Sequence, residues 1–274
     1  MTNRPSFDRK YIINELDKLS SKIAVHTQIF IIGGLALINY GLKEATKDID
    51  VVVLSDQDMG TLVESLENID YHLLENFLIS RQYRKMEISR IMENEDGFRW
   101  DIFNRSICNA LVFSVDMASR ATEFYSRGQL ILSLASKEDI FLFKGITERE
   151  ADLDDMRLLA ESSLDWEVIK TECTNQSLAS GRLWENALLQ NLIDLRTKYH
   201  IRSPIEKELQ RIVEEKLSED LVTKLIANGH TTIRNISKAA NLPDYLVREY
   251  AEKMAQKGIL KIDKTNRPYK FSLV

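Results

Sequence analysis

Few residues in this chain mark a special architecture. There are two cysteines in 274 residues, Cys108 and Cys173, far apart and outside any Cys-x-x-Cys pair. Neither a disulfide scaffold nor a zinc ribbon is expected, and a reducing cytoplasm is the expected compartment. Four prolines and ten glycines are too few for a collagen-like, low-complexity or turn-rich all-β chain. The longest apolar stretch, Ile29 to Leu42, is broken by Gly33-Gly34 and Asn39 and is too short to cross a bilayer. The first residues, Met1 to Asp8, hold no apolar h-region, so no signal peptide is expected. The four histidines, His26, His72, His200 and His230, share no metal-ligand spacing and read as surface or packed residues.

What remains is an ordinary globular composition, 44% hydrophobic and 29% charged, long enough for two domains. The net charge of −5 hides an asymmetry. From Gly229 onward nine Lys/Arg face four Asp/Glu, a balance of +5; the rest has 28 against 38, a balance of −10. A small basic module on a larger acidic body is implied.

Residues 6–24 have helical apolar spacing through Tyr11, Ile12, Leu16, Leu19 and Ile23. A β-branched run, Gln28 to Ile32, stops at Gly33-Gly34, and Leu35 to Tyr40 is expected as a helix. Ile49 to Leu54 reads as a strand buried on both faces, and Gln57 to Asn68 as a helix capped by Ser55-Asp56. Residues 71–80, 84–92 and 97–103 are β-rich, with a hairpin turn at Asn94-Glu95-Asp96-Gly97. Residues 123–135 hold one further strand candidate. From Ser136 to about Asn228 the chain is mostly helical, and the stripe Trp184, Leu188, Leu189, Leu192, Leu195 reads as core.

The chemistry gathers on one unit. A strand ends in Gly33-Gly34, a helix follows, and Asp48-Ile49-Asp50 opens the next strand. Residues i and i+2 of a strand face the same side, so Asp48 and Asp50 can present two carboxylates to one point. Paired carboxylates repel unless a cation lies between them, and hard oxygen ligands suit Mg²⁺. A glycine pair at a helix start lets backbone N–H groups approach a phosphate. Asp101, on the strand after the hairpin, is a candidate third ligand or base. The combination suits metal-assisted phosphoryl or nucleotidyl transfer.

The segment Ile31 to Val53, with Gly33-Gly34, Lys43 and Thr46-Lys47-Asp48-Ile49-Asp50, resembles the signature of the polymerase-β-like nucleotidyltransferase superfamily. It is especially similar to the minimal branch that includes abortive-infection type IV toxins. That branch also carries a lysine at a helix end and a following Asp-Leu-x-Asp, matched by Lys144 and by Asp152-Leu153-Asp154-Asp155. The resemblance covers residues 25–160 in order. It implies an NTP donor, Mg²⁺ on Asp48, Asp50 and Asp101, phosphate held at Gly33 and Gly34, and Lys144 stabilising transferring phosphates. Lys43 and Thr46 would border the nucleotide. Asp152 and Asp155 would either fix Lys144 or contact the nucleotide, with Arg149 pairing these acids. Two departures stand out. Gly34 replaces the serine of a Gly-Ser start, removing a hydroxyl, and Lys43 replaces an arginine, keeping the charge without the planar fork.

Residues 219–274 fit helix, helix, turn, helix and β-hairpin, an order that resembles a winged helix. Pro243 sets the start of the third helix, from which Tyr245, Leu246, Tyr250 and Met254 would pack inward. Arg248 and the hairpin's Lys261, Lys264, Arg267 and Lys270 would meet DNA or RNA; a protein partner or a structural role is the alternative. The expected fold class is therefore α+β. A nucleotidyltransferase-type mixed sheet flanked by helices would fill 1–160, a helical region 161–218 and a winged helix 219–274. The leading expectation is transfer of NMP from an NTP to an acceptor hydroxyl of RNA, protein or a small molecule, with a toxin role as a further layer. The alternative is a nucleotide-sensing DNA-binding regulator, or a partner-binding protein, with an inactive transferase domain.

Overall fold

In the computed structural model, which describes residues 4–74, 88–146, 150–265 and 267–274, the β-branched runs assemble into one seven-stranded mixed sheet. Its strands are β1 (Thr27–Ile31), β2 (Asp48–Val53), β3 (His72–Leu73), β4 (Arg90–Glu93), β5 (Arg99–Asn104), β8 (Thr122–Arg127) and β9 (Leu130–Leu134). A separate short hairpin pairs β6 (Ser106–Ile107) with β7 (Leu111–Val112). The sheet order is β3-β4-β5-β2-β1-β9-β8. β2 runs parallel to β5 and β1 parallel to β9, while the other neighbours are antiparallel. The expected α+β class is what this mixed sheet and its helices form.

Local chemistry sets the element ends. The first helix, α1 (Arg9–Ser20), is shorter than the expected 6–24, because the Asp8 side chain caps it by accepting from the Tyr11 N–H. Phe7, just before that cap, instead forms a β-bridge with Thr46. α2 (Gly34–Asn39) follows β1, and α3 (Asp56–Glu67) is capped by Ser55 as expected. The Asn94–Gly97 turn joins β4 to β5. Residues 123–135 form two strands rather than one, because Gly128 at φ +60° reverses the chain between β8 and β9. Of the β-rich run 71–92, β3 and β4 are described; residues 75–87 lie outside the described residues.

After α4 (Val115–Arg120) and β9 come four helices: α5 (Lys137–Ile146), α6 (Glu150–Glu161), α7 (Trp166–Ser180) and α8 (Trp184–Tyr199). Leu188, Leu189, Leu192 and Leu195 are buried as the stripe predicts, while Trp184 stays at the edge, its indole N–H bonded to Ser180 Oγ. A buried ionic knot ties three of the helices together. Arg120 of α4 reaches Asp139 of α5 and Glu172 of α7, each at 2.7 Å. Burial pushes the Asp139 carboxyl above its usual range, and the Arg120 guanidinium and Ser136 hydroxyl oppose that shift.

The chain divides into two compact units, Met1–Ser203 and Pro204–Val274. The helices α5 to α8 thus belong to the same unit as the sheet. Position 219, the expected start of a C-terminal domain, lies within an unbroken 22-residue helix, α9 (Glu206–Ala227). The second unit continues with α10 (Ile233–Ala240), α11 (Asp244–Gln256) and the hairpin β10 (Leu260–Asp263) with β11 (Lys270–Leu273). Val222, Ile226, Ile236, Val247, Ala251, Met254, Leu260 and Phe271 form its core. Tyr245, expected inside, is 71% exposed. The inward face of α11 is Val247, Ala251 and Met254, one step round the helix from the expected Leu246 and Tyr250. Among the described residues, no helix is long and apolar enough to cross a membrane.

Candidate active site

β1 leads directly into Gly33, which stands at the N-cap of α2. Its φ is −116°, so glycine is not required here by a left-handed backbone. Space requires it. A Cβ on Gly33 would overlap the Asp50 carboxylate and lie 2.7 Å from Asp50 Cβ. A Cβ on Gly34 would overlap the Thr46 hydroxyl and lie 3.1 Å from Thr46 Cβ. The glycine turn and the start of β2 are therefore packed backbone against side chain. A hydrogen bond from Ile32 N–H to Asp50 C=O, 3.0 Å, locks them in register. Thr46 is buried, and its hydroxyl donates to the Asp48 carbonyl at 3.0 Å.

Asp48 and Asp50 share one side of β2 by the strand's two-residue period. Asp50 lies in register with Asp101 on parallel β5, so these two carboxylates leave the same face of adjacent strands. Asp101 is fully buried, and Asp48 and Asp50 are partly exposed. Asp48 is engaged by an arginine that the sequence does not single out. Arg4 Nη2 lies 2.7 Å from Asp48 Oδ2, with the two side chains 18% and 19% exposed. Among the described residues, no three His, Cys, Asp or Glu side chains are gathered closely enough to hold a metal ion. Asp48, Asp50 and Asp101 thus share one face of the sheet.

The other four predicted residues are joined in one charge cluster. Lys144, at the end of α5, lies 2.8 Å from Asp152 and 3.1 Å from Asp155, both on α6. Lys43, in the link between α2 and β2, lies 2.5 Å from the other Asp155 oxygen. Asp152 and Asp155 are buried, and the Lys144 side chain is only 13% exposed. Two lysines and two aspartates cancel formally. Both acids thus contact the Lys144 ammonium. Arg149 lies outside the described residues.

The second unit has a groove of about 510 Å³ between α11 and the hairpin. Arg234, Arg248, Lys264 and Arg267 line it, opposed by Asp244 and Glu252. The expected basic residues Arg248, Lys264 and Arg267 are thus neighbours around one concavity.

Residues 10–200 match the model of a family described as nucleotidyltransferases of unknown function, DUF6036. The chain belongs to this family. The matched region holds all ten predicted site residues and ends close to the boundary of the first compact unit. Arg4 and Phe7 precede it. A comparison with curated proteins finds no match. Matches among solved structures include a crystal structure from H. pylori whose description assigns it provisionally to the nucleotidyltransferases. It is 14% identical and covers 75% of this chain and 99% of that chain, with a TM-score of 0.35. Within this nucleotidyltransferase-family chain, sequence reasoning missed Arg4 and the Arg120 knot. Both join residues more than forty or fifty positions apart, except Arg120 with Asp139, and no local pattern marks such pairings.

Proposed function

We propose that the chain transfers a nucleoside monophosphate from an NTP to an acceptor hydroxyl, releasing pyrophosphate. The observation that carries this reading is the contact between the glycine turn and Asp50, where the carboxylate fills the space a Gly33 side chain would need. A phosphate approaching the Gly33-Gly34 backbone meets carboxylate oxygens at once, and that juxtaposition is tolerable only with a cation between them.

The donor set fits a hard divalent ion. Asp48 and Asp50 offer partly exposed oxygens from one strand, and Asp101 stands in register behind Asp50. The guanidinium against Asp48 is a cation already held at this carboxylate. Asp48 and Asp50 would hold Mg²⁺, with Asp101 as the third carboxylate. The ion, when bound, would offset charge on the reacting phosphates. Asp101 would complete the metal site or assist deprotonation of the acceptor hydroxyl. Gly33 and Gly34 admit the triphosphate, and Thr46 buttresses Gly34. Lys144 supplies positive charge toward the phosphates; Asp152 and Asp155 hold its ammonium, and Lys43 shares Asp155.

The second unit would bind the acceptor or guide it. Its element order suits a winged helix, and four cations around one groove favour a nucleic-acid strand. The abortive-infection resemblance adds a toxin role in a reducing cytoplasm, where Cys108 and Cys173 would stay thiols. A second reading is a nucleotide-sensing regulator without turnover. Arg4 on Asp48 and the full burial of Asp101 favour it. One labelling panel separates the two. Purified chain is incubated with each α-³²P-NTP, Mg²⁺ and total RNA and protein, beside an Asp48→Ala/Asp50→Ala control. Label that depends on both acids supports the transferase; nucleotide binding without label, with salt-dependent DNA binding, supports the regulator.

A further inference from the structure

The segment before the family region is built into the site. Phe7 exchanges two backbone hydrogen bonds with Thr46, N–H to C=O at 2.7 Å and the return bond at 3.1 Å. Its ring is buried against Tyr11 and Phe98, with centroids 4.5 and 4.8 Å away. Asp8 then caps α1. The strap is thereby fixed two residues from Asp48 on one side and three residues from Arg4 on the other. From that anchor Arg4 reaches Asp48 at 2.7 Å, a charge-assisted contact between two largely shielded groups. Its second nitrogen points to the Lys47 carbonyl at 3.5 Å.

We infer that Arg4 is a tethered cation competing with the divalent metal for Asp48. The inference rests on the metal reading of the proposed function. Mg²⁺ binds carboxylate oxygen at about 2.0–2.1 Å and demands near-octahedral surroundings. A guanidinium hydrogen-bonded to the same carboxylate blocks part of that shell and repels a second cation. Metal entry at Asp48 Oδ2 therefore requires the Arg4 side chain to leave that oxygen, while the Phe7 bridge keeps the strap in place. The departing guanidinium stays tethered beside the carboxylates. In the metal-free protein Arg4 neutralises a carboxylate that would otherwise repel Asp50.

The test is Mn²⁺ affinity, read by titration calorimetry or by the free-ion EPR signal, with no substrate present. Five full-length proteins are compared: wild type, Arg4→Ala, Arg4→Lys, Asp48→Asn and the Arg4→Ala/Asp48→Asn double variant. Circular dichroism checks that each is folded. The expected result is a Kd for Mn²⁺ about five- to tenfold lower in Arg4→Ala than in wild type. That gain should vanish in the Asp48→Asn background, because the cycle isolates the pair. Arg4→Lys should keep most of the wild-type competition. Asp48-dependent binding that is unchanged or weaker in Arg4→Ala overturns the inference alone and leaves the metal reading standing. Absence of Asp48-dependent binding in both wild type and Arg4→Ala overturns the metal reading, and the inference with it.

Discussion

Gly33 and Gly34 are held by what lies opposite them. Asp50 fills the space beside the first and Thr46 the space beside the second. Gly34→Ala should therefore destabilise the chain by about 1–3 kcal/mol through overpacking. Adding Thr46→Ala should recover a substantial part of that loss, seen as a partial return of the thermal unfolding midpoint. Equal destabilisation in the single and double variants would show that the two positions do not share space. The Asp-x-Asp and Gly-Gly pairs were legible in the sequence because each is local, set by the strand period or by one turn. Arg4 was not, because its partner lies 44 positions away and nothing near Arg4 announces a binding role.

At the scale of elements, long-range ionic and phenolic contacts decide how helices meet the sheet. Arg120 binds Asp139 and Glu172, which are 1% and 3% exposed. Removing it leaves two buried acids without their shared cation, so Arg120→Met should cost about 3–5 kcal/mol in denaturant unfolding. A change below about 1 kcal/mol would mean that the acids are relieved by solvent. On the other side of the unit, Tyr71 donates to buried Glu15 at 2.8 Å and Tyr11 to Asp96 at 2.7 Å. Burial first, then the bond to Asp96, pushes the Tyr11 phenol from 10.0 up to about 12. A raised folded-state value means that Tyr11's contribution is complete below pH 10 and is lost as pH rises toward about 12. Absorbance at about 295 nm should accordingly show the Tyr11 phenolate, assigned through Tyr11→Phe, appearing near pH 12. Ionisation at pH 10 in the folded protein would contradict this assignment.

The same contrast explains what the element pattern revealed. The order of strands and helices around Gly33 and Asp48 followed from apolar periodicity and turn residues. The doubling of 123–135 into β8 and β9 was missed, because one glycine with positive φ was outweighed by a continuous β-rich run. On α11 the expected Met254 is inward, but Val247 and Ala251 share that face with it rather than Tyr245, Leu246 and Tyr250. Tyr245 and Tyr250 looked like core residues by type, whereas Val247 and Ala251 are smaller and fit against α10 and the hairpin.

For the whole molecule, the proposed function requires that residues 10–200, which belong to a nucleotidyltransferase family, work as a transferase around Asp48 and Asp50. The Lys43–Asp155–Lys144–Asp152 cluster connects the α2–β2 link to α5 and α6, so the glycine turn, the Asp pair and the lysines belong to one compact unit. The second unit includes the basic region from Gly229 onward, with its balance of +5. The most direct measurement is transfer of label from α-³²P-NTP to cellular RNA or protein by wild type and by Asp50→Asn, both shown to be folded. The expected result is Mg²⁺-dependent label with at least one NTP, reduced about a hundredfold or more in Asp50→Asn. Undiminished label in Asp50→Asn, or none with any NTP in wild type, would contradict the claim.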